Sequence, residues 1–503
     1  MKLSTLLGSP CIVTLAVAAA PALADTTISK DSTTPLDTLS AGNILIKKDA
    51  ELSVATGAAI TVNSSNTVTV EDDDSDDSDD EPGQITAGKA DGATGVLIQP
   101  GVTTTITNGG TISVLEEFVP LDEDGNSIAD GPIASAKNRY GIHVASGDSV
   151  TGSITNTGTI TLEGLNSAGI AVDSTLVGSL TNSGSIRVVG DNSYGIRTSD
   201  VTGNIVLEGS IVVTGAGARA VSIEGDVGGS IRIQGTVAHQ TSFVYDDDGN
   251  TIYLSRYDLR LGAPAVSVAG NVAGGIVVAV PPDDNSSTDD DEDDDGVVDS
   301  SEGSGTVIAY GNGPGMLIAS DKDIVIGTLP TANGGYSLLV EGGVSGTATY
   351  SRTDAYGIVI GGAEGTVSLP GGIGVTGAVQ ATTQDAKATA LLINEGVTVS
   401  SLYNSGTIMA AISSQGEGEA YAIQDLSGTL TKIENTGFIT ASGSSTDIVY
   451  ALDLSRTTAD VVIDQYMNAE DIETSEDIEE DLDEGETDDT VYTLSITHKW
   501  SRA

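Results

Sequence analysis

Between residues 140 and 224 apolar side chains recur at every second position in short bursts, and the bursts themselves recur. One series is Ile160/Leu162, Ile186/Val188 and Ile211/Val213; a second is Ile142/Val144, Ile170/Val172, Ile196 and Val221/Ile223. Period two sends alternate side chains to one face, so each burst predicts a short strand with one face buried. Glycines keep step with the bursts. Gly158, Gly184, Gly209 and Gly235 are 26, 25 and 26 residues apart, and Gly141, Gly169, Gly195 and Ala220 are 28, 26 and 25 apart. Whole phrases return at the same interval: TNTGTITLEGLNSAGIAV from Thr155 is echoed by TNSGSIRVVGDNSYGIRT from Thr181.

A unit of about 25 residues cannot bury a core alone. It can if it is one coil of a solenoid, stacked on the next at the ~4.8 Å strand spacing so that equivalent residues form ladders. Sixty-three glycines and runs of Val, Ile and Thr disfavour a helical solenoid. Tandem sandwiches would need units of about 100 residues. The fold class expected is therefore all-β: a right-handed parallel β-helix (β-solenoid) with projecting hairpins and acidic loops. If ~400 residues form such coils, there are roughly 15 of them in a rod of roughly 70 Å.

Two kinds of detail refine the coil. Asn156, Asn182, Asn404 and Asn435 each precede a small residue and glycine, and Asn108 opens a related Asn-Gly-Gly. Asn and Gly tolerate the left-handed backbone of tight turns, and stacked amides can bond along the axis. Insertions break the interval at residues 116–139 and 241–260, each with Asp-Gly-Asn between extended segments. That is a hairpin signal, and it predicts arms leaving the stack on one face.

The ends and the charge set the compartment. Residues 1–24 read as a secretory signal peptide, with Lys2, an apolar run through Ile12, Val13, Leu15 and Val17, and Ala22-Leu23-Ala24 before Asp25. The single cysteine, Cys11, falls inside it, so the exported chain has no disulfide chemistry. The formal charge is −52, which excludes nucleic acid as a partner. Three runs concentrate the acids: nine in 71–81, eleven in 283–302 and thirteen in 470–489. Such blocks read as solvated loops. The expected plan is a signal peptide over 1–24, a β-helix over 25–465 with acidic insertions near 71–81 and 283–302, an acidic low-complexity loop over 466–490, and a terminal strand of an incomplete coil over 491–503.

The signal peptide, the cysteine-free exported chain, Gly/Thr/Asn-rich coils such as NSGSIRVVGDNSYGIRTSDVTGNIVLEGSI, and a DGN segment ahead of RYGIHV resemble the passenger region of Gram-negative autotransporters. The likeness covers about 25–465 and implies display at the cell surface or outer membrane, or release outside the cell. It also implies an outer-membrane translocator barrel as partner. The ending TVYTLSITHKWSRA has room for one or two strands, so the barrel is expected to be missing from this chain or encoded downstream, and without it the protein would stay periplasmic.

Candidate chemistry is sparse. DEDDDGVVDSSE fits a calcium-loop template, with Asp291, Asp293 and Asp295 as oxygen ligands, Gly296 at the turn, Val297 giving its carbonyl, Asp299 a further ligand and Glu302 closing. In so acidic a run the solvated loop is the favoured alternative, and any binding should be weak. Gly215-x-Gly217-x-x-Ala220 imitates a nucleotide fingerprint but leads into another coil strand. His143, His239 and His498 are the only histidines, each expected on an outward or loop position. These readings favour a non-catalytic surface rod, adhesin-like or envelope-structural, with no cofactor apart from weak calcium and an unknown ligand on a host, matrix or neighbouring cell. Two alternatives stay open: an acidic surface-layer or matrix protein screened by calcium, and a polysaccharide lyase or hydrolase of the β-helix class, whose paired carboxylates would act as acid and base.

Overall fold

A computed structural model describes residues 25–467 and 492–498, apart from 74–79, several positions between 117 and 130, 240–242, 246–250, 254–261, 283–302 and 414–417. Three long sheets wrap one core. Sheet A has fifteen strands, from Thr26–Ile28 onward; sheet B has twelve, from Glu51–Val54 to Phe438–Ser442; sheet C has thirteen, from Leu36–Asp37 to Ile448–Asp453. The chain visits A, B and C in turn, and neighbours within each sheet pair in parallel. This is a right-handed parallel β-helix, the hand that parallel crossovers adopt. Fourteen of the sheet A strands are stacked in parallel, giving a rod about 65 Å long.

Alternation works as the sequence requires. In sheet B, Ile112, Ile160, Ile186 and Ile211 stack in one column and are fully buried, while Thr161 and Arg187 between them are half-exposed. One continuous apolar cluster runs from Ala41 to Ile433. The interval is less constant than the repeat suggested. Beyond Ile373 the coils lengthen: Ile373, Leu402, Ile433 and Ile463 occupy one sheet A column at spacings of 29, 31 and 30 residues. The extra residues lengthen strands, as in Lys387–Ile393 and Glu419–Asp425, each with seven residues.

The two glycine series serve different purposes, and neither is the left-handed turn expected for the Asn-x-Gly phrases. Gly158, Gly184, Gly209 and Gly235 mark the corner from A to B, where a Cβ on each would lie 1.9–2.1 Å from the carbonyl oxygen of the glycine one coil earlier. The same ladder resumes at Gly342, Gly377, Gly406 and Gly437. Close approach of backbone is the reason for glycine here. In the second series, Gly141, Gly169 and Gly195 leave room for the Cγ2 atoms of Ile160, Ile186 and Ile211, which would be 2.3–2.5 Å from a Cβ. Left-handed backbone occurs instead at the B-to-C corner, at Asn138, Asn166 and Asn192 with φ of 57°, 50° and 53°. Gly184→Ala should therefore lower stability by ~1–3 kcal/mol through overpacking, whereas Gly57→Ala, which meets nothing within 4 Å, should show only the smaller cost of its positive φ. Urea titration of both variants checks this.

The asparagines do stack. Asn108 Nδ2 donates to Asn156 Oδ1 at 2.6 Å, and Asn156 Nδ2 to Asn182 Oδ1 at 2.7 Å. Their side chains face the core, all fully buried. The same column then turns aliphatic at Leu207, Ile233, Val278, Val340 and Val375 before a second ladder, Asn404 to Asn435 to Gln465. Each ladder starts with an acceptor that has no donor, Asn108 Oδ1 and Asn404 Oδ1, because the residue before it in the column is a valine. Within a ladder every amide supplies its neighbour, so only the first carries that cost.

At the far end, Tyr492–His498 pairs with Val461–Met467 in antiparallel sense. A coil strand would pair in parallel, so Tyr492–His498 is not placed as the next parallel strand of sheet A. The last strands of sheets B and C carry the exposed Phe438, Ile448 and Tyr450.

Candidate functional site

The insertions sort by corner. The acidic run near 71–81 follows the sheet A strand Val68–Val70, the run at 283–302 follows Ile276–Val278, and the run at 470–489 follows Val461–Met467. Both arms instead leave the corner from B to C, after Thr111–Val114 and after Thr236–His239. The second arm contains an antiparallel pair, Phe243–Tyr245 with Thr251–Tyr253, as the Asp-Gly-Asn signal implied. In a three-sided coil the A-to-B corner lies opposite sheet C. The acidic runs are thus attached along the edge farthest from the outer face of sheet C.

That outer face carries a column of tyrosines. Tyr140, Ala168, Tyr194 and Arg219 stack in register, and further along so do Tyr356, Thr389, Tyr421 and Tyr450. The signal was in the sequence as YGIHV, YGIRT, YGIVI, YAIQD and YALDL: the tyrosine stands two places before the first aliphatic position, half-buried at 140, 194 and 356, nearly covered at 421 and exposed at 450. Reading the sequence from its apolar letters missed what the tyrosines share.

The densest chemistry lies over coils where the column is narrow. Ala168 and Ala171 are buried beneath larger neighbours from the coils on either side. The Tyr140 ring stacks on His143 at 4.0 Å between centroids, and the Arg197 guanidinium sits 5.4 Å from the centre of the Tyr194 ring. Asp173 bridges the two groups, with Oδ2 2.9 Å from His143 Nε2 and Oδ1 2.5 Å from Arg197 Nη2. Burial pushes the Asp173 carboxyl up, but the His143 hydrogen bond and the Arg197 charge outweigh it and hold it below its ordinary value. Burial also raises the Tyr140 phenol. Three coils are thereby tied by one carboxylate.

A second polar group extends the face. Tyr421 and Tyr450 stack at 5.7 Å, Lys387 Nζ lies 5.0 Å over the Tyr421 ring, and Gln424 links Lys387 to Asp453. Burial drives the Tyr356 phenol up to about 12, helped by Asp354. Both groups are internally paired. They offer ring edges, hydroxyls and a few cations to a ligand.

The expected calcium ligands Asp291, Asp293, Asp295, Val297, Asp299 and Glu302 lie outside the described residues. Among those described, no cluster of His, Cys, Asp or Glu is arranged to hold a metal. His143 is outward as expected, but His239 is not: it is 2% exposed and faces the core. Gly215 and Gly217 precede the strand Arg219–Ile223, with no helix to receive a phosphate. No described helix is long and apolar enough to cross a membrane.

Residues 24–217 match a family model, the BigA third pectate lyase-like domain. The matched span ends at the B-to-C corner of the seventh coil and includes the first arm and the Tyr140–Arg197 group. No curated protein and no solved structure matches the chain significantly. The match over residues 24–217 and the three parallel sheets agree on a parallel β-helix.

Proposed function

We propose that this chain is an exported bacterial surface rod, adhesin-like and non-catalytic, whose ligand-facing side is the outer face of sheet C. The observation that carries the reading is the axial tyrosine column, set opposite the corner from which the acidic runs leave. Tyrosine and arginine are the side chains that most often dominate binding energy at interfaces. A net charge of −52 keeps rods apart and suspended, and the acidic runs are attached after sheet A strands, not on sheet C. The family match supports a surface β-helix, and the likeness to autotransporter passengers supports delivery by an outer-membrane barrel. Calcium, if bound by the 291–302 run, would screen charge and have no part in chemistry.

The test is adhesion of the purified protein to candidate cells and matrix polymers. A double change, Tyr194→Ala with Tyr356→Ala, should lower binding at least tenfold while leaving the melting temperature within a few degrees. Unchanged binding would refute the assignment of this face. The name of the matched family favours a second reading, a polysaccharide lyase or hydrolase. Release of unsaturated or reducing ends from a polysaccharide panel, lost in Asp173→Asn, would establish it.

A further inference from the structure

His239 occupies a place that the rest of its column gives to aliphatic residues. Leu162, Val188, Val213, His239 and Ala309 are in register on the inner face of sheet B. Its Nε2 lies 3.0 Å from the Gly215 carbonyl oxygen. A carbonyl can only accept, so Nε2 carries the hydrogen and Nδ1 is a bare lone pair. Nδ1 is buried with no partner. The imidazole is therefore held neutral by two independent facts, its burial in an apolar column and the lack of an acceptor for a second proton. Burial pushes its pKa below the ordinary value of 6.5, only partly offset by the Gly215 bond.

Position gives this residue its leverage. His239 ends the strand Thr236–His239, from which the second arm departs, and its imidazole bonds to the B-to-C corner of the coil before. The titratable groups on the elements packed nearby are Arg187, Arg219, Tyr310 and Asp191, and none pairs with the imidazole. Asp191 accepts from the Ala216 amide, and Arg187 and Arg219 are in outward columns. Among the described residues no carboxylate pairs with the imidazole.

We propose that His239 is an acid-sensitive latch: taking up a proton opens the stack locally around Thr236–His239, at the root of the second arm. The sign follows from linkage. With the folded pKa lowered, the open form binds a proton that the closed form refuses, so the closed form is fully stable above pH ~6.5 and loses stability as the pH falls below it. The opening constant should rise about tenfold per pH unit, until the folded pKa is reached. Ordinary carboxylates titrate lower. Glu341, raised by burial, acts in the opposite direction, since a carboxyl more easily protonated when folded stabilises the fold on acidification.

Amide hydrogen exchange of the full chain between pH 7.5 and 5.0, corrected for intrinsic exchange, tests the latch. The expected result is an approximately tenfold loss of protection per pH unit below ~6.5 at Thr236–His239 and at the flanking strands Ser210–Thr214 and Thr306–Tyr310, with Thr407–Ile412 unchanged. His239→Val, the residue type found one coil earlier, should flatten the profile, as should His239→Gln, which keeps a donor but does not titrate. A flat wild-type profile between pH 6.5 and 5.5 overturns the proposal, and so does an equal slope in either variant. Should neither variant fold, the wild-type profile and the control strand decide alone.

Discussion

Ile186→Asp should abolish the native stacking of its coil, with a cost above ~4 kcal/mol, while Arg187→Asp should stay within about 0.5 kcal/mol of wild type. The two positions are adjacent in sequence and opposite in environment. Ile186 is fully buried between Ile160 and Ile211, and its Cγ2 fills the space left by Gly169. An aspartate there loses that packing and strands a carboxylate among aliphatic groups. Arg187 stands half-exposed between Thr161 and Val212 on the outer face. Because solenoid stability is a sum of coil and nearest-neighbour terms, the damage should be local at first. Limited proteolysis mapped by mass spectrometry is the right measurement, with new cuts expected near Ile186 before global melting changes. Equal susceptibility of the two variants would contradict the inward and outward assignment.

The coil, its inward residues and the arm positions were legible because each is written in a periodicity. Ile160, Ile186 and Ile211 announce one another at the coil length, and Asp-Gly-Asn announces a turn. What the repeat could not show is why a residue recurs. Glycine at 184 and asparagine at 156 both looked like turn formers, yet the first is required by a carbonyl one coil away and the second points inward to bond along the axis. Both reasons depend on contacts between coils, at a separation of about 26 residues, where local propensity says nothing. The tyrosine column was hidden for a related reason. Tyr140, Tyr194 and Tyr356 recur in similar phrases, but their alignment on one face depends on the lengths of the loops between them. His239 was misplaced although the repeat marked it: it stands four residues after Gly235, as Leu162, Val188 and Val213 stand after Gly158, Gly184 and Gly209, and the outward reading rested on its polar side chain instead of on that register.

Arg139→Leu should destabilise the protein by several kcal/mol, even though leucine suits a buried site and the change removes a buried charge. Arg139 is 0% exposed and sits where the first arm returns to the stack, just before Tyr140. Its Nη1 donates to the Glu163 carbonyl at 2.5 Å, and its Nη2 to the carbonyls of Gly88 at 2.7 Å and Leu115 at 3.0 Å. One guanidinium thereby satisfies backbone from three successive coils at the B-to-C corner. Burial lowers its pKa, and the nearby Glu116, Glu163 and Asp91 partly restore it; at neutral pH it stays charged. Glu116 works alongside it, accepting from the Ser135 and Ala136 amides to close the base of the arm. Removing the fork takes this donor from three partly buried carbonyls, each costing up to ~1–3 kcal/mol, and the gain from an apolar replacement should not offset all three. Arg139→Lys supplies the discriminating control. It keeps the charge but loses the planar fork, so it should recover only part of the loss in urea titration. Full recovery by lysine would mean that charge alone holds the corner. No loss in Arg139→Leu would mean that the arm closes without the clamp.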